Sequence, residues 1–107
     1  MSASKTIIPE ADRLDNVHPG EILREDFLIG SELPLKEVSV GTGIGLATLQ
    51  AVLSGEAPVT AEIDLRLGRY LGMSEGFFLG LQDDFDLEEV RRSKAGAEIE
   101  RIVPRAA

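Results

Sequence analysis

Proline and glycine punctuate this chain so often that no regular element can run long. Pro19 and Pro34 stand where first helical turns can begin, since a missing backbone N–H costs nothing there. Gly30-Ser31, Gly55 and Gly72 stand where helices can stop, and Gly55 suits the left-handed residue that follows a helix. Between these marks apolar side chains recur at helical spacing, and no strand signal appears. The chain therefore reads as an all-α bundle of about five or six short, non-parallel helices.

Residues 1 to about 15 mix charges without a period and read as a flexible arm. A first helix opens at Pro19, with Ile22, Leu23 and Phe27 at helical spacing and Glu21 and Glu25 near its positive end. A second spans about Leu35 to Thr42, with Leu35, Val38 and Val40 as its apolar candidates. Its β-branched residues and the glycines at 41, 43 and 45 make it a poor helix former. A third spans about Leu46 to Leu53. Leu46, Leu49, Val52 and Leu53 make its core face, leaving Ala47, Thr48, Gln50 and Ala51 toward solvent. Thr60 caps a fourth, about Ala61 to Leu71, carrying Ile63, Leu67, Tyr70 and Leu71 on one face and a Glu62–Arg66 pair. Ser74 caps a fifth, about Glu75 to Leu81, in which Phe77, Phe78 and Leu81 are buried or at an interface. Gly76 and Gly80 weaken that helix unless another backbone packs close. An acidic turn at 82–86 leads to a sixth helix from about Leu87, and residues 93–107 extend it or hang free until Pro104.

Composition removes several classes of function. There is no cysteine, which excludes a disulfide scaffold, a thiolate metal site and a cysteine nucleophile. The single histidine, His18, has no spaced nucleophile or ligand set and reads as a capping or packing residue before the first helix. Asp83, Asp84 and Asp86 lack the spacing of a calcium loop and read as a solvated acidic turn. No enzyme and no cofactor is expected. No apolar run reaches the ~20 residues of a membrane span, and the first residues lack a signal-peptide stretch, so a cytoplasmic protein is expected.

Charge poses the central question. The formal net charge is −8, and no third of the chain is basic, so long-range steering toward DNA is poor. The stretch "GIGLATLQAVLSGEAPVT", residues 43–60, is punctuated like a helix that enters the major groove. From Gly45 to Pro58 it contains no lysine and no arginine. It is either a DNA-reading helix thinned of charge or a helix kept for another purpose.

The segments "HPGEILREDFL" at 18–28, "LSGEAPVT" at 53–60 and "LRLGRYLGMSEGFFLGLQDDFDL" at 65–87, with the helical pair between them, carry a resemblance. From His18 to Leu87 the chain resembles the HigA-like antitoxins of the Xre helix-turn-helix superfamily, a group that includes virulence-associated-protein-I-like regulators. The resemblance implies a five-helix, lambda-repressor-like domain, placed over residues 16–87; the residues on either side read as the flexible arm at 1–15 and a helical or disordered extension at 88–107. It implies a dimer on double-stranded operator DNA, with the third helix in the major groove. It also implies neutralisation of a small ribonuclease toxin, a basic protein partner.

Carried over by position, Gly45, Leu46, Ala47, Thr48 and Gln50 would meet base edges, and Lys36 a phosphate. Phe77, Phe78 and Leu81 are the candidate dimer contacts. The family pattern has polar or basic residues where Leu35, Leu46, Ala51 and Glu56-Ala57 stand here. Arg13, Arg24 and Arg66 make up for that loss only where the fold brings them to the same face. The alternative expectation keeps the fold as a protein-interaction module with weak or no DNA binding.

Overall fold

The computed structural model describes residues 14–106, and the expected arm lies almost wholly outside them. The described residues form helices and connecting turns, with no strand among them. Helix α1, Pro19–Ile22, opens as the sequence suggests. The His18 Nδ1 accepts a hydrogen bond from the Gly20 N–H at 2.9 Å, and the His18 ring meets Phe85 edge-on at 4.9 Å. The helix then widens into a π-helical stretch, Leu23–Ile29, closed by five-residue bonds from Gly30 N to Glu25 O and from Leu33 N to Leu28 O. The wider turn explains a difference from the expected spacing. Leu23 and Leu28, five residues apart, both reach the core, while Phe27 is half-buried.

Helices α2, Leu35–Thr42, and α3, Leu46–Leu53, pack beneath α1 and α4, with Val38, Leu49 and Val52 fully buried. Val40 does not join the apolar face of α2. It lies two positions from Val38, on the outside of the helix, and is 78% exposed. Helix α4, Ala61–Leu71, is capped as expected, the Thr60 Oγ1 accepting from the Ile63 N–H at 3.2 Å. Ile63 and Leu67 enter the core beside Val59, Ile44 and Phe78.

Helix α5 departs most from the sequence reading. It starts at Phe77 and continues to Arg91, so the acidic turn expected at 82–86 and the separate helix from Leu87 are one continuous helix. Ser74 is not its side-chain cap. The cap position is Gly76 at φ 90°, a left-handed conformation that favours glycine. A Cβ added at Gly76 or at Gly80 would meet nothing within 4 Å beyond its own stretch of backbone, so close backbone approach does not account for either glycine. The missing cap is supplied from α4: the buried Asp64 carboxylate accepts from Gly76 N at 2.7 Å and Leu79 N at 2.9 Å. The turn reading failed because Gln82 ties this stretch to the core. Its Oε1 accepts from Val59 N at 2.8 Å, and its Nε2 donates to Asp86 at 2.9 Å. A further helix, α6, Lys94–Glu100, follows.

Burial pushes the His18 pKa below its ordinary value of 6.5, and Asp86 opposes this more weakly. The folded chain therefore holds the proton less well than the unfolded chain. His18's contribution is complete above about pH 6.5 and declines as pH falls from there toward the lowered folded value. Replacing it with asparagine keeps a capping acceptor without the titration. In thermal melts between about pH 7.5 and pH 5.5, wild type should lose more stability than His18→Asn. Parallel curves would contradict this account.

Candidate nucleic-acid interface

The geometry of residues 38–48 begins with a turn that the backbone alone does not hold. Gly43, at φ 76°, ends α2 in the left-handed region, and Ile44 drops into the core. Two side chains stitch the corner. Thr42 Oγ1 donates to Val38 O at 2.7 Å and accepts from Ile44 N at 3.1 Å, while Ser39 Oγ donates to Ile44 O at 2.6 Å. The same Thr42 that weakens α2 as a helix former thus fastens the turn after it. Sequence reading saw only the helix propensity.

That turn aims α3. Its inner side, Leu49 and Val52, is fully buried. Its outer side presents Gly45, Leu46, Ala47, Thr48 and Gln50, every one of them exposed. Leu46 is 41% exposed, so it is not the fully buried core residue that its periodicity suggests. Lys36 is exposed on the first turn of α2. Among the described residues, nothing walls off Thr48 or Gln50.

Of the three arginines considered from sequence, the structure brings Arg66 to the turn. Its Nη1 donates to Thr42 O at 2.9 Å, satisfying a carbonyl at the end of α2, and its Nε pairs with Glu62 at 2.9 Å. Arg66, Gly43, Gly45, Thr48 and Thr60 line one cleft. Arg24 pairs with Glu25 and lines a separate depression with Ile29 and Leu53, while Arg13 lies outside the described residues.

The candidate dimer residues divide. Phe78 is 1% exposed and belongs to the core, whereas Phe77 is 38% exposed and Leu81 is half-buried. Phe77 stacks edge-on against Phe78 at 5.0 Å and Phe27 at 6.1 Å, so Phe78 supports the surface ring from beneath. A longer run of exposed apolar residues, Leu87, Val90, Ile99, Ile102 and Val103, follows along α5, α6 and the last residues. Sequence reading missed it because it placed a break in α5.

Two helices joined by a three-residue turn, the second buried on one side and bare on the other, make this a helix-turn-helix protein. No protein-family model matches the chain. Virulence-associated protein I of Dichelobacter nodosus is 30% identical over 88 residues, covering 82% of this chain and 80% of that protein. An addiction module antidote protein of the HigA family from Coxiella burnetii superposes with a TM-score of 0.77 at 30% identity, over 86% of this chain and 100% of that one. The antitoxin HigA of Pseudomonas aeruginosa, solved with the higBA promoter, gives 0.77 at 25% identity, over 86% and 100%. The chain belongs to the HigA-like, virulence-associated-protein-I-like antitoxin family of the Xre helix-turn-helix superfamily. That family comprises antitoxins and transcriptional regulators rather than enzymes.

Proposed function

We propose that this chain is an antitoxin and transcriptional regulator that binds operator DNA as a dimer and neutralises a small ribonuclease toxin. The observation that carries this reading is the bare outer side of α3, where Thr48 and Gln50 stand free above a fully buried Leu49 and Val52. Gln50 offers a donor and an acceptor to the major-groove edge of adenine, and Thr48 offers a hydroxyl to a base or phosphate. Gly45, Leu46 and Ala47 allow close approach and apolar contact with a thymine methyl. Lys36 serves a phosphate. Phe77 and Leu81 serve the second subunit.

The test is fluorescence anisotropy with a duplex spanning the chain's own upstream region, at low salt, with and without the product of the neighbouring gene. Gln50→Ala is expected to cost about 1–3 kcal/mol and to relax selectivity at one base pair. Lys36→Gln is expected to weaken all sequences alike. Phe77→Asp should separate the subunits in sedimentation velocity. Absence of binding under every condition sinks the reading.

A second reading rests on charge. The exposed acids Asp83, Asp84 and Glu89 of α5, together with the net charge of −8, suit a basic protein partner even where DNA contact is weak. Co-expression with the neighbouring gene product should then give a complex that dissociates as salt rises.

A further inference from the structure

We propose that Arg66 is a backbone-phosphate contact of the DNA-bound protein, and that Glu62 restrains it by competing for the same guanidinium. This rests on the reading of α3 as a DNA-facing helix and adds a residue and a control to that face. The turn and α3 contain no cation from Gly43 to Pro58, so a phosphate arriving there finds none supplied locally. Arg66 reaches the same place from α4. It shares its cleft with Gly43, Gly45 and Thr48.

Its side chain is already oriented. The Nη1 bond to Thr42 O fixes the guanidinium against the turn, and a side chain at Gly43 would crowd that nitrogen, its Cβ lying 2.8 Å away. Among the described residues Nη2 makes no hydrogen bond, leaving a free edge of the planar fork. Glu62 occupies Nε, but this is an exposed pair, with 74% of the glutamate side chain open to solvent. Such pairs are weak and screened by salt. A phosphate oxygen can therefore take the free edge while Nη1 remains on Thr42. Glu62 opposes this twice, by neutralising the guanidinium and by repelling the phosphate.

A purely structural pair predicts that loosening Glu62 harms binding or leaves it unchanged. Competition predicts the reverse sign. The experiment measures duplex affinity and its salt dependence for wild type, Glu62→Gln, Arg66→Gln and the double variant. Glu98→Gln on α6 makes the same charge change elsewhere, and circular dichroism melts check folding. Glu62→Gln should tighten binding roughly threefold beyond Glu98→Gln, since its amide still accepts from Arg66 without carrying charge. Arg66→Gln should flatten the slope of log affinity against log salt by about 0.9 per subunit and abolish the Glu62→Gln gain. A Glu62→Gln gain that equals the Glu98→Gln gain, or that survives Arg66→Gln, overturns the proposal, as does an unchanged salt slope in a folded Arg66→Gln protein. Duplex binding indifferent to these variants defeats the proposal alone. Failure of wild type to bind any duplex defeats the DNA reading and the proposal together.

Discussion

Asp64→Ala should lower the melting temperature by about 10–20 °C, the larger of two effects expected from single substitutions. The helix it supports has no side chain of its own at the cap, because Gly76 is there. An uncapped helix leaves its first N–H groups without partners, and here those of Gly76 and Leu79 turn toward α4. The Asp64 carboxylate takes both, and its negative charge stands at the positive end of the α5 dipole. Asp64 is 2% exposed, so water does not readily replace it. Removing it strands two donors, at about 1–3 kcal/mol each. Asp64→Asn retains one acceptor but turns an amide N–H₂ toward the other donor, so it should recover only part of the loss. Differential scanning calorimetry of the three proteins checks the order. A melting temperature for Asp64→Ala within about two degrees of wild type would show that α5 is held by its apolar contacts alone.

Gly20→Ala is expected to impair both stability and DNA binding. A Cβ at position 20 would lie 1.9 Å from Val52 O, 2.9 Å from Val52 C and 3.0 Å from Leu53 Cα. All three are backbone atoms of α3 or its end, so no rotamer change relieves the overlap. The helices α1 and α3 must move apart, and overpacking of this kind costs about 1–3 kcal/mol or more. The displaced helix is the one that carries Thr48 and Gln50. Duplex affinity should therefore fall even at temperatures where the variant is fully folded. Gly80→Ala is the matched control: it adds the same methyl to open space within a helix and should be neutral or mildly stabilising. A Gly20→Ala protein that melts and binds like wild type would refute the close packing of α1 on α3.

The helices were legible where local chemistry and global packing agree. Pro19, Thr60 and Gly55 act as their residue types suggest, and α2, α3 and α4 fall within the expected bounds. The outward placement of Thr48 and Gln50 followed from the burial of Leu49 and Val52 on the other side of a single helix. The break expected at 82–86 was illegible as helix, because three acids in five positions look like a solvated turn until Gln82 is seen bonded to Val59. The π-helical widening after Ile22 was illegible for a related reason. It is selected by the joint burial of Leu23 and Leu28, and a helical period read along one segment does not register what lies across the core.

Sequence alone therefore determined the helical class, most helix ends and the outward placement of Thr48 and Gln50 on α3, since all of these depend on neighbours within a few positions along the chain. Only the tertiary structure decided that Asp64 caps a helix twelve or more residues away, that Gly20 admits α3, and that Arg66 reaches the end of α2. These contacts join distant parts of the chain, and their energies depend on distance and on exclusion of water, neither of which residue order specifies.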